Sequence, residues 1–317
     1  MTGQWDGHAK RRKEHRWGSI MTDAATARAG LEQDVPVRDE TFVHDGLQFH
    51  YRDWGDPAAP PVLLLHGNFQ HARSWDPVAR GLAARYRVLA PDWRGHGESD
   101  WAPAYTQERA FGDLEAFIVS LGLERFPVVG NSLGGRMAAV YAARHPEQVE
   151  CLVMLQGFVA GGSRPEIGEQ IDRLLNLPER FADLNEAKVA FRTVAPYASD
   201  DVLRQFVTDS LKRDSDSRWI SRIDPLLRSR GTMSSMAPST EAVRNLLPLV
   251  TCPVLLIAGE QSFMDESMRQ MALLLHDARI ATIPRAEHVA LVDNPVGVLD
   301  VVRRFFDGAT PSPSVVQ

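Results

Sequence analysis

Val128-Val129-Gly130-Asn131-Ser132-Leu133-Gly134-Gly135 decides how the rest of the chain is read. The apolar run from Phe126 to Val129 reads as a buried strand. It ends in a serine with glycines two positions to either side, and a helix-forming run, Leu133 to Arg144, begins at once. A strand that becomes a helix across one residue leaves little room beside the bend, so small flanking residues are what the turn demands. Such a bend would lift the Ser132 hydroxyl above the sheet. The first amides of the helix, that of Leu133 foremost, would then face a carbonyl held over it. Taken alone, Gly-x-Ser-x-Gly arises by chance in a chain of this length with a probability of about 0.1, so the surroundings decide its meaning.

Upstream, the continuously apolar Val62 to Leu65 reads as a strand covered on both faces, and it ends in His66-Gly67-Asn68. That turn would set the Asn68 amide opposite the Leu133 amide, making a two-donor oxyanion hole, while the His66 side chain is expected to pack structurally. Similar runs recur at Tyr86 to Ala90, Cys151 to Leu155, Pro253 to Ala258 and Arg279 to Ile283, whereas Leu47 to Arg52 alternates apolar and polar residues as a half-exposed strand does. Helical patterns lie between most of them: Asp76 to Ala84, Gln107 to Leu121 and Ser267 to Leu275, with Val296 to Phe306 last. Alternating strands and helices imply an α/β fold with a mostly parallel central sheet and helices on both faces. Residues 161–247 break the alternation with amphipathic patches, Ile167 to Leu175 and Asp200 to Leu211, separated by Pro178, Pro196 and Pro225. They read as a helical cap inserted after the sixth strand, which leaves residues 36–160 and 248–308 for the core.

Composition narrows the function classes. A net charge of −6 offers no field to gather nucleic acid or an anionic membrane. No apolar run approaches the roughly 20 residues of a membrane helix, and the N-terminus lacks a secretory signal's apolar stretch, so a cytoplasmic protein is expected. Residues 1–35 and 309–317 read as disordered tails, the first carrying the basic run from Lys10 to Arg16. Met21 follows that run, so residues 1–20 read as a possible upstream extension of the frame. Cys151 and Cys252 each open an apolar run and are expected to be buried free thiols. No metal or nucleotide motif occurs, so no cofactor is expected, and the partner is a small-molecule substrate. Composition and motif are silent on the oligomeric state.

A serine hydroxyl needs a base to take its proton and a third group to orient that base. Of the ten histidines, those near the N-terminus fall in the expected tail, His44 and His50 on a half-exposed strand, and His145 at a helix end. His96 sits in a glycine-rich turn and reads as structural. His288 follows the last core strand, in a short loop before the terminal helix, and comes after the serine in chain order. It is the expected base.

These segments together resemble the α/β-hydrolase superfamily. The resemblance is carried by His66-Gly67, Asp92-Trp93-Arg94-Gly95-His96-Gly97-Glu98-Ser99, the serine turn, Pro253 to Gly259, Glu287-His288 and Asn294-Pro295, and it spans about Thr41 to Asp307. It implies a serine, acid and histidine triad beneath a helical cap, with Ser132 and His288 in the first and last roles. The acid departs from the pattern. Most relatives carry an aspartate three residues after the glycine that ends the seventh strand, where this chain has Ser262. Others, zearalenone lactonases among them, carry it just after the sixth strand, where this chain has Gln156. Asp265 is the expected substitute. Glu260 and Glu287 are alternatives, as is a site without an acid in which the Gln156 amide oxygen orients His288.

Asn68, Phe69, Gln156, Phe158, Phe263 and Met264 follow strand ends and are expected around a mainly apolar pocket, with Trp219, Met233 and Met236 above it. His71 is expected at the surface. A serine at the turn argues against the aspartate chemistry of the dehalogenases and epoxide hydrolases that the chain resembles. Hydrolysis of a carboxylic ester or lactone of a small to medium apolar substrate is the expected reaction. Carbon–carbon bond hydrolysis is an alternative, from the likeness of Gly-Asn-Ser to meta-cleavage-product hydrolases. A catalytically weak binding protein is a third reading, motivated by the missing acid.

Overall fold

Runs of four to six apolar residues are too short to bury a helix but long enough to cross a sheet, and the chain uses them so. The computed structural model describes residue 31 and residues 34–157, 165–262 and 265–309. The core strands are β1 (Val37–His44), β2 (Leu47–Trp54), β3 (Pro61–Leu65), β4 (Arg87–Pro91), β5 (Phe126–Asn131) and β6 (Val149–Leu155). Three short strands follow, β7 (Arg180–Phe181), β8 (Leu211–Arg213) and β9 (Trp219–Ser221), before β10 (Val254–Gly259) and β11 (Ala278–Ile283) return to the core. The main sheet has eight strands in the order β1-β2-β4-β3-β5-β6-β10-β11. β2 pairs antiparallel with both neighbours, and every pairing from β4 to β11 is parallel.

Alternation within each run explains why the runs are continuously apolar. Leu63, Leu65 and Val128 join one hydrophobic cluster, whereas Val62, Leu64 and Val129 join another on the opposite face. Helices α1 (Asp76–Leu82), α2 (Gln107–Ser120) and α3 (Leu133–Arg144) begin the covering layers. Burying each such leucine or valine contributes about 1.5–3 kcal/mol, so neither face can be left to water.

Between β6 and β10 lie α4 (Pro165–Leu175), α5 (Leu184–Phe191), α6 (Asp200–Ser210), α7 (Arg230–Met236) and α8 (Thr240–Leu246). Their starts are written locally. Asp183 accepts hydrogen bonds from the Asn185 and Glu186 amides, and Ser199, Ser229 and Ser239 cap the next helices in the same way. Each cap is worth about 1 kcal/mol. The first part of this insertion has its own apolar core, Leu177, Phe181, Phe191, Leu203 and Phe206, to which the main domain adds Val289 and Val292. The three-stranded sheet β7-β9-β8 within it went unrecognised in the sequence, because strands of two or three residues are too short to show alternation. After β10 come α9 (Asp265–Ala272), α10 (Ala290–Asp293) and α11 (Pro295–Ala309).

Three other expectations need correction. The sheet begins at Val37 with a strand the sequence concealed, since β1 is a charged, largely exposed edge. The N-terminal tail was drawn too long, because Leu31 and Val35 pack against the cluster under the sheet. At the other end α11 continues through Ala309, where the C-terminal tail was expected to start. The rest of both tails, Met21 included, lies outside the described residues. Both cysteines are buried free thiols. Among the described residues no helix is long and apolar enough to cross a membrane.

The strand order places the site. β3 lies between β4 and β5, so the connections leave its two sides in opposite directions, and a crevice opens beyond the carboxyl ends of β3 and β5. His66-Gly67-Asn68 follows the first of those ends and Ser132 the second.

Candidate active site

Ser132 occupies the bend between β5 and α3 at φ 49°, ψ −111°, a backbone region that an L-residue enters at a cost of about 1–3 kcal/mol. Surrounding contacts hold it there. The Ser132 amide donates to the Leu155 carbonyl of β6 at 2.8 Å. The flanking glycines are required by contact distance: a Cβ on Gly130 would lie 2.4 Å from the Gly134 carbonyl, and one on Gly134 2.2 Å from the Leu65 carbonyl oxygen. Helix α3 therefore starts directly against the end of β3, with the buried Leu133 as its first residue. Its leading N–H groups have no acceptor within the helix.

The opposing loop is built as tightly. Gln70 Oε1 accepts from the Gly67 amide at 2.9 Å and from Asn131 Nδ2 at 2.8 Å, which ties the loop after β3 to the residue before the serine. Phe69 sits at φ 60°, turning the chain beside Asn68. His66 is the brace beneath. Its Nε2 accepts from the Trp93 amide at 3.0 Å, so its Nδ1–H donates to the Gly67 carbonyl at 2.8 Å. Burial pushes its pKa down to about 4, so it stays neutral and structural. His96 is likewise buried and bonds the Arg94 carbonyl through Nδ1. His50, expected to be half exposed, is buried instead, with Nδ1 2.7 Å from Asp92 Oδ2.

His288 stands in the loop between β11 and α10 and shares one pocket with Ser132. The pocket is narrow and mostly apolar. Asn68, Phe69, Ser132 and His288 form its floor, and Leu177, Phe181, Phe191, Phe206, Ile223 and Arg228 of the insertion close over it. Of the pocket residues expected from sequence, Asn68 and Phe69 are on the wall and Gln156 is not. Phe158, Phe263 and Met264 lie outside the described residues. Met236 is buried in the main core, Met233 packs against that core, and Trp219 stacks under Arg213 with its guanidinium 4.3 Å from the ring. The insertion's true lining went unnoticed because helical periodicity marks an apolar face without saying what that face covers. His71 also differs from expectation. It is buried, stacks on Phe206 at 5.6 Å and donates through Nε2 to Ser210 Oγ at 3.0 Å, pinning the insertion to the main domain.

The family pattern for the alpha/beta hydrolase fold matches residues 60–295. The chain belongs to the α/β-hydrolase family. The 3-hydroxybutyrate-oligomer hydrolase of Cupriavidus necator is 28% identical over 258 residues, covering 77% of this chain and 84% of that protein. The sn-1-specific diacylglycerol lipase ABHD11 of Mus musculus is 27% identical over 259 residues, covering 79% and 82%. Among solved structures, the thioesterase domain from the curacin biosynthetic pathway superposes with a TM-score of 0.73 at 21% identity, over 84% of this chain and 99% of that one. The chain is thus an enzyme, an α/β hydrolase.

Within the hydrolase, the loop carrying His288 is held at Glu287 from two sides. Asp293 Oδ2 accepts from the Glu287 amide at 2.9 Å while its Oδ1 accepts from the Tyr197 amide of the insertion at 2.9 Å. Gln156 Nε2 donates to the Glu287 carbonyl at 2.9 Å. Burial raises the Asp293 carboxyl to about 6 against the pull of those amides. Sequence reasoning missed Asp293; the only signal was an acid five residues past the histidine. The carboxylates considered for the triad are disposed differently. Glu287 points to Arg173 of α4, 3.1 Å away. Glu260 is exposed and accepts from Gln261 Nε2 at 3.0 Å. Ser262, in the usual acid position, is buried and donates to the Gly259 carbonyl at 2.7 Å. Asp265 opens α9, and its side chain lies outside the described residues. Gln156 is buried, and among the described residues its Oε1 has no hydrogen-bond partner. Burial pushes His288 down to about 4, and no carboxylate of the described residues acts against it.

Proposed function

We propose that the hydrolase cleaves carboxylic esters or lactones through an acyl-enzyme on Ser132. The observation that carries this reading is the strained serine on its bend, in one pocket with His288 and facing the amide-rich start of α3. In the proposed cycle His288, neutral at pH 7, takes the Ser132 Oγ proton as the oxygen attacks the substrate carbonyl. The Leu133 and Asn68 amides receive the developing oxyanion, which requires no reorganisation because both loops are already braced. The imidazolium returns the proton to the leaving alkoxide, and a water then repeats the sequence to release the acid. Apolar walls from the insertion suit a hydrocarbon-rich acyl or alcohol part.

Asp265 is the acid we assign to His288. The alternative, Gln156 Oε1, bonds none of the described residues, His288 among them, so it would have to turn towards the ring to fix the tautomer, and it would not stabilise the imidazolium. The test is release of p-nitrophenol from p-nitrophenyl butyrate by the parent enzyme and by Ser132→Ala. We expect the variant to lose at least about 10 000-fold in kcat/KM. Equal, slow release by both proteins would contradict the proposal.

A further inference from the structure

The polar side chains that line the pocket above Ser132, such as Asn68, Gln70, Asn131, Ser210 and Ser221, are uncharged, with one exception. Arg228, the last residue of the short helical turn Pro225–Arg228, puts a cation into its wall. One amino group of its guanidinium donates to the Leu177 carbonyl. Among the described residues no carboxylate lies within ion-pairing distance of it. The acid in its own turn is engaged elsewhere: Asp224 accepts from the Leu226 amide at 2.9 Å and from the Tyr105 hydroxyl. Glu179, whose charge favours the guanidinium, is itself exposed. Burial works against the charge, lowering the pKa of Arg228, and guanidinium is the one basic group that stays protonated under such pressure. A half-buried cation with no anion in contact, beside a pocket whose other lining is apolar or uncharged, is costly unless an anion arrives to share it.

We propose that Arg228 selects substrates that carry a carboxylate away from the scissile carbonyl, so that the enzyme acts on half-esters of dicarboxylic acids or on comparable acidic esters. This deepens the ester-hydrolase reading and rests on it. The choice of carboxylate follows from charge and shape. A single guanidinium neutralises one negative charge and pairs with the two oxygens of a carboxylate as a fork, whereas a phosphate dianion would leave a net negative charge in an apolar pocket. The reaction is ordinary hydrolysis: ester and water give a free acid and an alcohol, and the recognised carboxylate passes through unchanged.

The test compares substrates matched in size. Mono-p-nitrophenyl glutarate against p-nitrophenyl valerate places the charge on the acyl side; 4-carboxyphenyl valerate against 4-carbamoylphenyl valerate places it on the leaving group. We expect kcat/KM to favour the charged member of one pair by about 10- to 100-fold, the range of a hydrogen bond to a charged group. Arg228→Gln should erase that preference, lowering kcat/KM on the charged ester about 10- to 100-fold more than on its neutral partner, while Arg228→Lys should keep part of it. Preference for neither charged ester, or equal loss on charged and neutral esters in Arg228→Gln, would overturn the proposal while leaving serine hydrolysis standing. Titration of glutarate and of 1,5-pentanediol into Ser132→Ala gives a readout free of turnover. Binding of the diacid alone, weakened by salt, supports the assignment even if no ester is cleaved, and equal or absent binding of the two counts against it.

Discussion

His288→Ala is expected to cost about 10 000-fold or more in kcat/KM on p-nitrophenyl esters, as much as removing the nucleophile. A serine without its base is an ordinary alcohol, so the two residues act as a unit and their losses do not add. Ser132→Ala/His288→Ala should therefore be no slower than either single variant, all three keeping only the contribution of the oxyanion amides and the pocket. The same residue governs the pH profile. Burial holds the imidazole down to about 4, so the neutral, proton-accepting form persists through mildly acidic solution. That value is set by burial alone, and Asp265 against the ring, as assigned, lifts it, so the acid limb of kcat/KM should fall well above pH 4 in the parent enzyme and move down towards 4 in Asp265→Ala. A limb already near 4 in the parent enzyme would mean that no carboxylate touches the ring, which would favour Gln156 over Asp265 as the orienting group.

Gly134→Ala should be the most damaging substitution of a single methyl group at the site. The added carbon would lie 2.2 Å from the Leu65 oxygen and 2.8 Å from the His66 oxygen, both of them backbone atoms that cannot swing away. Relief requires α3 to retreat from the end of β3, and that retreat separates the Leu133 amide from the loop bearing Asn68. We expect about 3 kcal/mol of lost stability, read as a fall in Tm of about 6–12 °C. Activity should drop by about 100-fold beyond any unfolding, since displacement of about 1 Å at a reacting centre costs that much. Gly231→Ala is the matched control. It lies within α7 with nothing inside 4 Å of the added carbon, and it should be neutral or mildly stabilising. Thermal melts and ester turnover on the three proteins check both halves.

The parts of this enzyme that could be read from its residues are those where one local rule acts alone. Strands covered on both faces wrote themselves as unbroken apolar runs, and the bend at Ser132 wrote itself as small residues at fixed offsets. The edge strand β1 stayed hidden because nothing covers its outer side, so residues such as Arg38, Asp39 and Glu40 carry no buried pattern. Tertiary partnership was harder still. His50 and His71 looked like surface groups until Asp92 and Ser210 came to meet them across 42 and 139 residues of sequence. Arg228 sits in a segment whose composition is that of any polar turn, and only the path of the insertion over the sheet brings it to the pocket. Asp293 escaped for the same reason, since its role is to hold backbone amides from two separate loops.

The central claim is that Ser132 is the nucleophile made reactive by His288. Intact-protein and peptide mass spectrometry after treatment with a fluorophosphonate measures it most directly. One phosphonyl adduct is expected, on the peptide containing Ser132, forming rapidly in the parent enzyme, very slowly in His288→Ala and not at all in Ser132→Ala. An adduct on another residue, or labelling of Ser132 at the same rate without His288, would contradict it.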